Sequence, residues 1–209
     1  EARPLLKALL DALSAIHARR LSNGDLRLEH VLVFRQADGS QTLVLQDAGS
    51  DRLRARARVT SNGQNELFST VGSPKTVAPE QIRGMASDPR SDVYSFGALL
   101  YEVLSGKPMF GDGTAIKAAI GHLTEMPEPP STVAPRGWIT KEIDDWVLGM
   151  LSKDPEKRPR DARALLEALE TMGRATVQKK EQKISDADLD ARIEALVADA
   201  EDEDAAVAL

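Results

Sequence analysis

The sequence predicts a mainly α fold that carries one short β-hairpin. Three observations predict it. Leu5, Leu6, Leu9, Leu10, Leu13 and Ile16 recur at helical spacing, so one face of that segment is apolar and calls for burial. Val31 to Phe34 and Thr42 to Leu45 are short apolar runs, and Ala37-Asp38-Gly39-Ser40 lies between them. That composition is the signature of a hairpin turn. Val93 to Leu104 is apolar on nearly every face, as expected of a helix at the centre of a core.

The other elements follow along the chain. Ser22-Asn23-Gly24 breaks the first helix. From Asp47 to Glu80 the sequence is polar, with a turn at Asn62-Gly63. Gly106 and Pro108 end the central helix. Thr114–Thr124, Thr140–Leu151 and Asp161–Thr171 read as three further helices, with Thr114, Thr140 and Asp161 as N-caps. Pro127, Pro129, Pro130 and Pro135 mark the loop between the first two of these. After Met172 the character shifts to a polar linker, 173–184. Ser185-Asp186-Ala187-Asp188 has the form of a capping box, and Leu189, Ile193, Leu196 and Val197 share a helical face behind it. The expectation for 185–209 is an acidic, partly helical tail, solvated or docked on a partner or on a basic segment.

Composition bounds the function. The length of 209 allows one domain with an appendage. Hydrophobic residues make up 42% and aromatic residues 4%, so the core is mostly aliphatic. There is no Cys, which excludes disulfides and thiol catalysis. No apolar run approaches a membrane span, and the expected compartment is cytoplasmic. The net charge of -6 is uneven, because residues 181–209 hold 10 acidic and 2 basic side chains. The pI near 5.2 argues against a nucleic-acid partner. The chain opens on Glu1 rather than Met, as a piece of a longer protein would.

Five motifs then occur in one order: Asn23-Gly24-Asp25-Leu26-Arg27 with His30 before Val31, Asp47-Ala48-Gly49, Ala78-Pro79-Glu80, Asp92-Val93-Tyr94-Ser95-Phe96-Gly97, and Asp154-Pro155-Glu156-Lys157-Arg158-Pro159. Together they resemble the second half of a bacterial-type Ser/Thr protein kinase, over roughly Leu5 to Thr171. The resemblance implies an α+β family fold in which residues 1–172 form the large lobe. No Gly-rich phosphate loop or Val-Ala-Ile-Lys-like strand precedes Leu5. The small lobe is therefore absent from the sequence, and the chain alone is expected to bind ATP poorly. Gly111-Asp112-Gly113 lacks the strand context of such a loop.

The same resemblance implies roles. Asp25 stands for the catalytic base, and Arg27 for the Lys that reaches the γ-phosphate. Asp47 stands for the magnesium-binding Asp, and His30 for a second metal ligand, Asn in the family. An imidazole suits hard Mg²⁺ poorly, and His30 is expected to hydrogen-bond Asp25 locally instead. Leu32 matches the residue under the adenine ring, and Ser73 the hydroxyl that bonds the catalytic Asp and Lys. Glu80 and Arg158 match a buried ion pair, and Asp92 a buried anchor of the loop backbone. ATP and magnesium are the implied cofactors, and a protein substrate or regulatory protein the implied partner.

Asn23, Gly24 and Ala48 depart from the family's His, Arg and Phe. Two functions therefore remain open: a protein kinase, and a pseudokinase that binds or scaffolds without catalysis. Arg52, Arg54, Arg56 and Arg58 ahead of Thr60 and Ser61 read as a solvated segment or a basic docking strip.

Overall fold

The computed structural model describes residues 2–49, 74–110 and 114–178. Ser73, the Arg52–Arg58 strip, Gly111-Asp112-Gly113 and the expected tail lie outside these residues.

Helix α1 is Ala2–His17, and a 3-10 turn at Leu28–His30 leads into strand β1, Val31–Arg35. Strand β2, Gln41–Leu45, pairs antiparallel with it, Val31 opposite Leu45 and Leu32 opposite Val44. Then come α2 (Pro79–Ile82), α3 (Pro89–Ser105), α4 (Ala115–Thr124), α5 (Pro130–Val133), α6 (Lys141–Met150) and α7 (Ala162–Gln178). A second 3-10 turn, Pro155–Lys157, lies between the last two.

Local chemistry sets these boundaries. In the hairpin turn, Asp38 accepts the Ser40 N–H at 2.8 Å, and Gly39 takes a φ of 82°. Asp88 caps α3 by accepting the Arg90 and Ser91 N–H groups, with Pro89 next in the chain. Gly106 closes α3 in a left-handed conformation. Thr114 and Asp161 cap their helices by accepting N–H groups of Lys117 and Ala164. Thr140 holds the N-cap position of α6, but its side chain makes no cap bond. Helix α7 runs through Gly173 to Gln178, into the segment expected to be linker. One Gly costs a helix only about 1 kcal/mol against Ala, and no Pro follows to stop it.

The core forms around α3, which is buried from Ser91 to Ser105. Leu9, Leu10 and Leu13 of α1 and Val147 and Met150 of α6 enter the same cluster. Helix α1 also packs along α7 and against β2. Gly97 allows a close approach of α3 and α6, because a Cβ there would stand 2.8 Å from the Met150 Cβ.

Two polar assemblies lock the helices together. Arg158 donates to both Glu80 oxygens, at 2.7 and 2.9 Å, and Ser91 Oγ donates to one of them at 2.7 Å. The guanidinium also lies 4.8 Å from the centre of the Tyr94 ring. Burial raises the Glu80 pKa, but the Arg158 bonds and charge outweigh it and hold the carboxyl below its ordinary value. In the second assembly Lys153 Nζ donates to Tyr94 OH at 3.1 Å, and Tyr94 OH donates to His122 Nδ1 at 2.9 Å. Since ammonium can only donate, the Tyr94 oxygen accepts from Lys153, and its own proton can point at a neutral His122. Burial first, then the Lys153 charge, pushes the imidazole down to about 4.

Two measurements test this packing. Gly97→Ala should destabilise by about 1–3 kcal/mol through overpacking, read as a lower urea midpoint at unchanged slope. Stability should also fall with acid in two windows. His122 has a depressed folded pKa, so the unfolded chain protonates first and stability declines from about pH 6.5 to about 4. Glu80 contributes above its ordinary 4.5, and that contribution is lost as pH falls through its lower folded value. Urea titrations at stepped pH should show His122→Asn flattening the upper window and Glu80→Gln the lower.

Candidate active site

The loop between α1 and β1 is built on one carboxylate. Asp92, in the first turn of α3, is 1% exposed. Its Oδ2 accepts the Asn23 N–H at 2.6 Å and its Oδ1 the Gly24 N–H at 2.8 Å. The φ of 79° at Gly24 turns the two successive N–H groups toward the same acceptor. His17 Nε2 completes the set, donating to Oδ2 at 2.9 Å. The other ring nitrogen, Nδ1, accepts the Ala162 N–H at the start of α7, at 3.0 Å. His17 thus links the loop to the far end of the chain. It was missed as a functional residue, although the spacing Leu10, Leu13, His17 continues the buried stripe of α1.

Three further bonds fix the loop tip. Asn23 Oδ1 accepts the Asp25 N–H at 3.1 Å, and Gln81 donates to the Gly24 carbonyl at 2.7 Å. The Gly49 N–H donates to the Asn23 carbonyl at 3.0 Å, which ties the Asp47-Ala48-Gly49 segment to the loop. Asn23 is fully buried, and its Nδ2 has no hydrogen-bond partner among the described residues. An orphaned buried donor costs about 1–3 kcal/mol. Ala48 is exposed.

This framework gathers Asp25, Arg27, His30 and Asp47. The Asp25 side chain is 1% exposed, and its Oδ2 lies 3.7 Å from Arg27 Nε and 3.8 Å from His30 Nδ1. His30 Nδ1 donates to the Asp25 backbone carbonyl at 3.0 Å, so the local bond to Asp25 runs through the main chain. His30 Nε2 meets Arg27 Nε at 3.0 Å and Nη2 at 2.8 Å, and Asp47 Oδ2 at 3.6 Å. Asp47 is exposed and takes a φ of 52°, a left-handed conformation uncommon outside Gly, Asn and Asp.

These residues can hold one magnesium ion. Mg²⁺ usually keeps several waters and needs only one or two protein carboxylates beside substrate phosphates; Asp47 offers such a group. His30 Nε2, at the position of the family's second ligand, lies within hydrogen-bond distance of Arg27 instead. Among the described residues, no cluster of three or more His, Cys, Asp or Glu is arranged to hold a metal. Leu32 is half-buried on β1, on the strand face shared with Phe34 and, across the hairpin, Val44, which are 52% and 41% exposed. Val31, Leu43 and Leu45 take the opposite face and pack on the core.

The family model for the protein kinase domain matches residues 1–169. The chain is 36% identical over 168 residues to serine/threonine-protein kinase pkn2 of Myxococcus xanthus, covering 80% of this chain and 20% of that protein. It is 37% identical over 161 residues to serine/threonine-protein kinase PkaA of Streptomyces coelicolor, covering 75% and 27%. It is 31% identical over 156 residues to serine/threonine-protein kinase PknB of Mycobacterium tuberculosis, covering 73% and 24%. The chain thus spans between about a fifth and just over a quarter of these relatives. With the domain matched over most of its own length, the chain belongs to the Ser/Thr protein kinase family.

Proposed function

We propose that this chain is the large lobe of a Ser/Thr protein kinase and serves ATP-dependent phosphoryl transfer to a Ser or Thr hydroxyl of a protein. One observation carries the reading: a loop anchored on Asp92 brings Asp25, Arg27 and Asp47 into one small site. Such transfer needs an acceptor for the hydroxyl proton, a cation near the phosphate and an oxygen ligand for magnesium. Asp25 would orient the hydroxyl and take its proton. Arg27 would face the phosphoryl oxygens, and Asp47 would hold the metal. Magnesium, when bound, bridges phosphate oxygens and neutralises their charge. The apolar strand face at Leu32 would lie under the adenine ring. Ser73 is assigned to the substrate side from its sequence position alone.

A second reading is a pseudokinase, a binding or regulatory module without turnover. The buried Asn23 with its orphaned Nδ2 and the exposed Ala48 favour it, because both stand where the family places rings of an aligning apolar column. Under either reading the partner is a protein. No helix among the described residues is long and apolar enough to cross a membrane.

A phosphotransfer assay on the full-length protein with Mg-ATP separates the readings. The kinase reading expects turnover that falls by about 10²–10⁴-fold in Asp25→Ala. Equal background in wild type and variant leaves only the scaffold. The 209-residue chain alone should show weak Mg-ATP binding by isothermal titration, and micromolar affinity would contradict the assignment of half the nucleotide site to another segment.

A further inference from the structure

We propose that Arg27, held by a neutral His30, is a built-in phosphate-binding cation that stands in place of a second metal ion. The identity of the anion as a phosphoryl group rests on the kinase reading above. The Arg27–His30 pairing does not.

The protonation of His30 follows from its partners. Nδ1 lies 3.0 Å from the Asp25 carbonyl oxygen, which can only accept, so Nδ1 carries the hydrogen. Nε2 lies 3.0 and 2.8 Å from two nitrogens of Arg27. A guanidinium can only donate, so Nε2 must present its lone pair. The other group near Nε2, Asp47 Oδ2, lies at 3.6 Å, beyond hydrogen-bond distance, so the geometry assigns His30 the neutral Nδ1–H tautomer, with the atom that would ligate a metal committed to Arg27.

The local backbone makes this pairing firm. Arg27 precedes the 3-10 turn Leu28–His30, and the His30 N–H donates to the Arg27 carbonyl at 3.1 Å. That bond closes the turn and brings the two residues together across it. His30 is 7% exposed, so its ring is fixed by packing as well as by its bonds.

A neutral acceptor holds the guanidinium without cancelling its charge. The nearby carboxylate, Asp25 Oδ2, stands at 3.7 Å, beyond hydrogen-bond distance. Of the five N–H donors of an arginine, two serve His30. The others have no hydrogen-bond partner among the described residues, and the side chain is 33% exposed. Arg27 thus offers a free, charged edge beside Asp25 and near Asp47. That edge matches the paired oxygens of a phosphoryl group.

The test uses the full chain, labelled with ¹⁵N at histidine and arginine, and inorganic pyrophosphate as the probe. Only three histidines are present, which simplifies assignment. Wild-type His30 should show the Nδ1–H tautomer, and Arg27→Met should release it to a mixture. Pyrophosphate affinity should fall on the order of tenfold in Arg27→Met, as expected for losing charge-assisted hydrogen bonds. His30→Gln places a carbonyl oxygen near the position of Nε2 and should keep most of the affinity. His30→Asn reaches only as far as Nδ1 and should lose it to about the same degree as Arg27→Met. A hydrogen on Nε2 in wild type would overturn the proposal. So would a His30→Asn variant that binds pyrophosphate more tightly with Mg²⁺, the behaviour of a metal ligand. Pyrophosphate binding with this tautomer, in a protein that transfers no phosphate, would leave the pairing standing and remove the kinase reading.

Discussion

The Asp92 carboxylate is the constraint on which the rest of the structure depends. A buried, uncompensated charge costs several kcal/mol, so its partners are obligatory. Here those partners are two loop N–H groups and the His17 imidazole. Through them one side chain of α3 fixes the end of α1 and the backbone leading to Asp25. His17 carries the same tie on to the first N–H of α7. The left-handed φ of Gly24 belongs to this arrangement, since it aims consecutive N–H groups at one acceptor. The loop conformation is therefore set from below, by the scaffold, independently of anything bound above it.

Scaffold and site differ in how their polar groups are used. Glu80 and Arg158 form a bidentate pair supported by Ser91, and Arg158 makes further bonds to main-chain carbonyls. Lys153, Tyr94 and His122 form a chain with a single consistent direction of donation. Such networks rigidify a fold to the extent that they are satisfied; in the second, His122 Nε2 has no hydrogen-bond partner among the described residues. Around Asp25 the pattern changes. Asn23 leaves a buried donor without a partner, Asp47 sits exposed in a left-handed conformation, and Arg27 presents an open edge. Orphaned buried polar atoms also occur in the scaffold, at Arg90 Nε, His122 Nε2 and Trp146 Nε1; what distinguishes the site is that several departures lie together there, as expected where function is placed.

Much of the fold was legible in the sequence because it is written locally. The central helix showed itself by apolar residues on every face, and its end by Gly106. Its true start at Pro89 was hidden, because the first turn is polar and fixed by the Asp88 cap instead of by periodicity. The four-residue helices at Pro79–Ile82 and Pro130–Val133 are too short to express a period at all. Helix α7 outran its expected end because Gly173 alone is a weak terminator. The site was legible as a set of positions, since Asp25, Arg27, His30 and Asp47 stood in recognisable order. What joined them was not. The bonds from Asp92 to the loop span nearly 70 residues of sequence, and no local pattern reports them.

His30 shows most clearly what geometry adds. By position it stood for a metal ligand, and by chemistry it was a poor one for magnesium. Both statements treat the residue alone. In the folded loop its two nitrogens lie within hydrogen-bond distance of opposite kinds of partner, the Asp25 carbonyl and the Arg27 guanidinium, with Asp47 Oδ2 farther off at 3.6 Å. The consequence reaches the two charged groups beside it. Had Arg27 closed directly on Asp25, a carboxylate–guanidinium pair would have committed each group to the other. With the imidazole taking the inner edge of the guanidinium, Arg27 stops 3.7 Å from the carboxylate. The anion and the cation stay side by side without a direct hydrogen bond between them.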